Sequence, residues 1–183
     1  MTGLISSLTF SERVLALSFT VSAALLAGAH LFEKVGGLAP CILCLDQREA
    51  HWAALGVTLG GLVASRLFKS RIGAVAAVGA AALVYTVSAG LAFYHTGVEF
   101  KFWPGPAICS GPASGTIDIS QIGTALDGPV DAPACNDVQW SFLGVSMAGY
   151  NLLLSAGLVA LTLLAALGET RRVKQIRSTR PTP

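Results

Sequence analysis

Four cysteines hold most of the redox chemistry open to this chain, and two of them are spaced to act together. Cys41-Ile-Leu-Cys44 is a C-x-x-C, a spacing that closes into a small disulfide ring. It follows Pro40 and leads into an apolar run, so it is predicted to open a helix. Free N–H groups and the helix dipole favour a thiolate at such a position and lower its pKa. Arg48 lies one turn beyond Cys44 on the same helical face. A permanent cation at the edge of an apolar segment is expensive and usually functional, although its long stem also allows it to reach back to headgroups. Asp46, Gln47 and Glu49 keep the same turns polar, as an interface does. Cys109 and Cys135 stand apart, in a segment rich in Gly, Pro and Ser. Such a pair is either a staple for a loop without a core or a partner in thiol–disulfide exchange. Four cysteines allow three pairings. A structural zinc site uses two short-spaced pairs, and only one exists here, so no metal is expected.

The elements that must position these residues are apolar. Of 183 residues, 53% are hydrophobic and only 12% charged, about half the usual globular share of roughly 25%. A net charge of +2 is too small to suggest nucleic acid. Four runs, 14–32, 45–62, 72–93 and 142–167, are each near the roughly 20 residues that cross about 30 Å of hydrocarbon. The first also resembles a signal peptide, with Ala27-Gly-Ala29 as a cleavage site. Its length and the mixed charges of Glu12 and Arg13 favour a retained helix. Gly56-Val-Thr-Leu-Gly60 and the small residues of 74–82 are expected to let helices approach closely.

Arg13, Arg66, Lys69, Arg71, Arg171, Arg172, Lys174, Arg177 and Arg180 are nine of the twelve basic residues, and they fall on one side of these runs. The positive-inside rule assigns that side, with both termini, to the cytoplasm. Segments 33–40 and 94–141 then face outward, which puts Cys109 and Cys135 in the long loop, and Cys41 and Cys44 just past Pro40, on the oxidising side. That assignment used no cysteine. Ile117, Ile119, Ile122 and Leu126 suggest a short amphipathic helix on the membrane surface within the long loop.

At these residues the sequence resembles the DsbB family of bacterial disulfide-forming membrane proteins. The signature is Pro40-Cys-Ile-Leu-Cys44-Leu-Asp-Gln-Arg48, then Tyr94-His95-Thr96 after the third run. After Cys135 come Gln139-Trp140-Ser-Phe142-Leu143-Gly144 and Met147. The resemblance implies an all-α membrane protein. Its form is one domain over 1–183, a four-transmembrane-helix bundle with a long periplasmic loop between helices 3 and 4, in the bacterial inner membrane. It implies a periplasmic, thioredoxin-like DsbA partner that hands two electrons to Cys109 and Cys135. These pass to Cys41 and Cys44 and then to a membrane quinone, ubiquinone or menaquinone, with Arg48 at the quinone site. His95 either hydrogen-bonds a quinone carbonyl or faces headgroups. Cys44, deeper and nearer Arg48, is expected to meet the quinone, and Cys41 to receive the loop thiolate. His51 and Trp52, outside the signature, are expected at the interface. Two other functions compete. One is a non-enzymatic four-span scaffold with structural disulfides. The other is a quinone reductase of the vitamin K epoxide reductase kind, against which the placement of Arg48 argues.

Overall fold

The computed structural model describes residues 8–106, 109 and 133–179. Four long helices carry the fold: α1 (Phe10–Lys34), α2 (Ile42–Phe68), α3 (Arg71–Glu99) and α4 (Met147–Ser178). Each begins where a side chain accepts from the backbone N–H left free at a helix start. Thr9 caps α1 in a capping box with Glu12, Cys41 caps α2, Ser70 caps α3 and Ser146 caps α4. Lys69, at φ 46°, ends α2 in the left-handed conformation, so the chain turns straight into α3.

The helices α1, α3 and α4 are long and apolar enough to cross a membrane. α2 has 27 residues but carries Asp46, Arg48, Glu49 and Arg66, and does not meet that hydropathy. Large apolar side chains such as Leu17, Leu59, Leu83, Leu153 and Leu164 point outward. Small ones fill the inside: Ala54, Ala81, Ala165, Ser18, Ser88 and Ser155 are fully buried. An apolar exterior around small residues suits helices packed in lipid, where close backbone approach replaces the hydrophobic drive. The chain is a multi-pass membrane protein.

Two predicted details are corrected. The fourth helix starts at Met147, not at 142, because Ser141–Phe142 and Val145–Ser146 pair as a two-stranded antiparallel hairpin, β1 and β2. Its two turn residues, Leu143 and Gly144, both have positive φ, the geometry of a tight hairpin turn. Hydropathy cannot separate such a short apolar strand from a helix. The Gly56–Gly60 spacing also does no packing, since a Cβ at either would meet nothing. The close approach is one position on, where a Cβ at Gly61 would lie 2.8 Å from the Cβ of Ala77 on α3. Gly61→Val is therefore expected to cost about 1–3 kcal/mol of stability by overpacking. Gly56→Val should change it by no more than about 0.5 kcal/mol. Thermal unfolding of both variants in one detergent checks the difference. The amphipathic helix expected at 117–126 lies outside the described residues.

At the end bearing the basic clusters, Arg66 of α2 binds Glu12 of α1 at 2.8 Å. Ser11 of α1 donates to Glu169 of α4 at 2.8 Å. The opposite end gathers the cysteines.

Candidate functional site

Cys41, just after Pro40, begins α2 as its N-cap. The Cys41 Sγ accepts from the Cys44 N–H at 3.3 Å. The i to i+3 spacing brings the two sulfurs together, and Sγ to Sγ is 2.6 Å. Both thiols are free. The pair is a small shift from the roughly 2.05 Å of a disulfide. The pair sits at the start of α2, where free N–H groups and the helix dipole favour a thiolate.

Arg48 is held, not loose. Its guanidinium forms an ion pair with Glu33 at the end of α1 and donates to the Ala29 carbonyl at 3.2 Å. These contacts tie the side chain to α1 beside the cleft that Arg48 and Ala29 line.

His95, near the end of α3, is 4% exposed. Its Nε2 lies 3.7 Å from Cys41 Sγ, and its Nδ1 lies 2.7 Å from Gln47 Nε2. It faces the cysteine pair, not the headgroups. One turn on, Glu99 lies 4.0 Å from His95 Nε2 and accepts from the Ser146 hydroxyl at the start of α4.

Cys109 and Cys135 form a disulfide. It packs in one cluster with Cys41, Leu43 and Val98, against Cys44 and Trp103. Trp103, packed on the same cluster, folds back on α3. Its Nε1 donates to the Tyr94 carbonyl at 2.9 Å, and its ring stacks on Tyr94 and lies over Gly97. A Cβ at Gly97 would fall 1.9 Å from that ring, so only glycine admits the fold-back.

Beside the thiols is a cleft of about 500 Å³. Leu25, Ala29, Phe32, Leu38 and Leu154 give it apolar walls; Cys44, Arg48, His95 and Glu99 line its polar part. Trp140 closes it, packed on Phe32 at 5.1 Å and Tyr150 at 6.2 Å. Its volume and mixed lining are those of small-molecule sites.

The family described as Disulfide bond formation protein DsbB matches residues 11–165 of this chain. The chain belongs to the DsbB family. Among its members, Disulfide bond formation protein B of Pasteurella multocida is 31% identical over 159 residues, covering 84% of each chain. That of Polaromonas naphthalenivorans is 33% identical over 168 residues, covering 87% of this chain and 95% of the relative. That of Verminephrobacter eiseniae is 34% identical over 177 residues, covering 94% and 93%. As a member of the DsbB family the protein is a disulfide-forming oxidoreductase of the membrane.

The structure brings all six residues singled out in the sequence, Cys41, Cys44, Arg48, His95, Cys109 and Cys135, to one end of this DsbB-family bundle. It adds four that the sequence reading missed as site members: Glu33, Gln47, Glu99 and Asn151. Gln47 and Glu49 looked alike in sequence. Only the structure separates Gln47, 6% exposed and bonded to His95, from its neighbours. His51 is a correction as well. It is 3% exposed in the bundle interior, not interfacial, because its position on α2 turns it between α1 and α4. Trp52, next to it, is 56% exposed.

Proposed function

We propose that this protein is a thiol:quinone oxidoreductase that reoxidises a periplasmic, DsbA-like dithiol protein. The carrying observation is a free C-x-x-C pair between a packed disulfide and the mouth of an apolar-walled cleft. Three exchanges balance. A partner dithiol reduces Cys109–Cys135 and leaves as a disulfide. The loop dithiol reduces a Cys41–Cys44 disulfide and becomes a disulfide again. The Cys41–Cys44 dithiol then gives up two electrons and two protons and closes. A quinone supplies the matching two-electron, two-proton acceptor, so no metal is needed.

The residues of the cleft fit such a group. Its apolar walls suit a lipid-soluble ring and tail, and Arg48 and His95 are donors for carbonyl oxygens. Within the chain, Cys41 and Cys44 both line the cleft, and Cys44, one turn from Arg48, is the sulfur we assign to the quinone. Cys41, buried against the loop disulfide, is the sulfur open to exchange with it. The His95 imidazole, 3.7 Å from Cys41, is the group in reach of a proton on that sulfur. Hydrogen bonds that hold both ends of an imidazole fix its orientation for such a transfer.

The same reading makes α2 the fourth span, its polar first turns facing the cleft and its partners instead of lipid. It makes 1–183 one domain of the bacterial inner membrane, with both termini cytoplasmic and the cysteines periplasmic. The basic end, with Arg66, Arg171, Arg172 and Lys174, supports that direction.

The test is purified protein with a short-tailed quinone and a reduced thioredoxin-fold oxidase, following quinone absorbance. Thiol-dependent loss of quinone is the expected result. No loss, with both pairs inert in thiol trapping, would favour the scaffold.

A further inference from the structure

Beyond the thiols, a chain of buried side chains crosses the bundle from His95 to α1. All its members lie in the interior: Gln47, Asn151, His51, Ser22 and Tyr85 are each 7% exposed or less. Among the described residues the only buried side-chain polar atom without a partner is Ser18 Oγ. With water excluded, each hydrogen must be assigned to one bond, and the assignments constrain one another.

The count begins at Tyr85. Its hydroxyl donates to the Ser18 carbonyl at 2.9 Å, which only accepts. The 2.8 Å contact between Tyr85 and Ser22 therefore uses the Ser22 hydrogen. Ser22 Oγ then offers only lone pairs to His51 Nδ1, 3.2 Å away, so that nitrogen carries hydrogen. A neutral imidazole has one N–H, which leaves His51 Nε2 bare. Asn151, whose oxygen is drawn 2.8 Å from that nitrogen, must then be turned to offer it the amide NH2. Ser88, at 3.4 Å, is the longer contact. Asn151 now turns its oxygen to Gln47, so Gln47 donates to it and turns its own oxygen to His95 Nδ1. His95 carries hydrogen on Nδ1, and its Nε2 presents a lone pair to Cys41.

A second hydrogen on His51 reverses every step. Asn151 turns its oxygen to His51 and donates to Gln47 Oε1 at 2.5 Å, and Gln47 donates to His95 Nδ1 at 2.7 Å. His95 then shows Cys41 an N–H. The two arrangements differ by half a turn of each amide, which fills the same volume.

We infer that His51 is a positioning residue for the cysteine pair: through Asn151 and Gln47 it sets which nitrogen of His95 carries hydrogen, and so whether His95 meets Cys41 with a lone pair or an N–H. The role in turnover rests on the thiol:quinone reading; the coupling of the two histidines does not. Tyr85 is the titratable group facing His51, while Ser22 of α1 and Asn151 and Ser155 of α4 carry no charge. Cys41 and Cys44 at the start of α2 and Glu99 of α3 face His95, and the Cys135 carbonyl beside it is a competing acceptor for its ring hydrogen.

The experiment uses the full chain in nanodiscs, labelled with ¹⁵N-histidine, because ring ¹⁵N shifts report directly which nitrogen is protonated. Spectra are taken across about pH 5 to 8, where imidazoles titrate. Wherever His51 is neutral, His95 is expected to carry hydrogen on Nδ1. Wherever His51 is doubly protonated, His95 carries it on Nε2. Any pH that breaks this pairing in the unmutated protein overturns the inference, so no variant has to fold for it to fail. Asn151→Leu is expected to abolish the pairing while His51 remains. A pairing that survives in that variant overturns it equally. Quinone reduction is scored separately. Pairing without thiol-dependent turnover removes the proposed function and leaves the coupling; turnover without pairing removes the coupling alone.

Discussion

Cys135→Ser is expected to bring turnover with a protein dithiol down to background while turnover with dithiothreitol continues. A small dithiol reaches the Cys41–Cys44 disulfide directly. A folded partner needs the loop disulfide, which packs against Cys41 beside Trp103. Loss of the staple alone also costs something, about 2–5 kcal/mol of stability. The two effects separate in the Cys109→Ser, Cys135→Ser double variant. A staple predicts that both donors lose activity together as the protein loosens. A relay predicts loss with the protein donor only, at a temperature where the variant is still folded by circular dichroism. Full turnover with the protein donor in either variant would show that the pair is only structural.

Arg48→Ala is expected to act at the other end of the relay. The cleft loses a charged donor, worth about 1.5–3 kcal/mol per hydrogen bond, so quinone KM should rise roughly 10- to 150-fold. Glu33 would be left without its partner, and this alone could disturb the cleft. Glu33→Gln with Arg48→Ala removes the stray charge, and the KM effect should remain. Arg48→Lys should recover only part of it, since the guanidinium reaches both Glu33 and the Ala29 carbonyl and an ammonium cannot match that fork. Stopped-flow kinetics of loop-to-C-x-x-C exchange should change less than quinone reduction. Unaltered quinone kinetics in the single variant would remove Arg48 from the site.

Some of this was legible along the chain. Runs of Leu, Val and Ala marked the spans of α1, α3 and α4, because the energetic demand of hydrocarbon is met residue by residue. The ends were less so. α3 continues past 93 to Glu99, since His95 and Glu99 find buried partners that hydropathy does not score. The 142 boundary failed because a positive-φ turn at Leu143-Gly144 interrupts an apolar stretch without changing its hydropathy.

The C-x-x-C, with Pro40 before it and Arg48 after it, could be read from spacing, because i, i+3 and i+4 contacts on one helix are local. The spacing left the loop pairing open among three choices, and the structure joins Cys109 to Cys135. Glu33 as the partner of Arg48, and Gln47, Asn151 and His51 as one connected set, join residues up to 104 positions apart. No periodicity carries such a link. A buried hydrogen bond depends on which faces of different helices meet, and that follows from the packing of small residues such as Gly61 against Ala77. The amino-acid order was enough to establish a membrane chain with a redox-capable pair at a helix start. Which side chains face that pair came from helix packing, because polar groups in a dry interior must satisfy one another across helices.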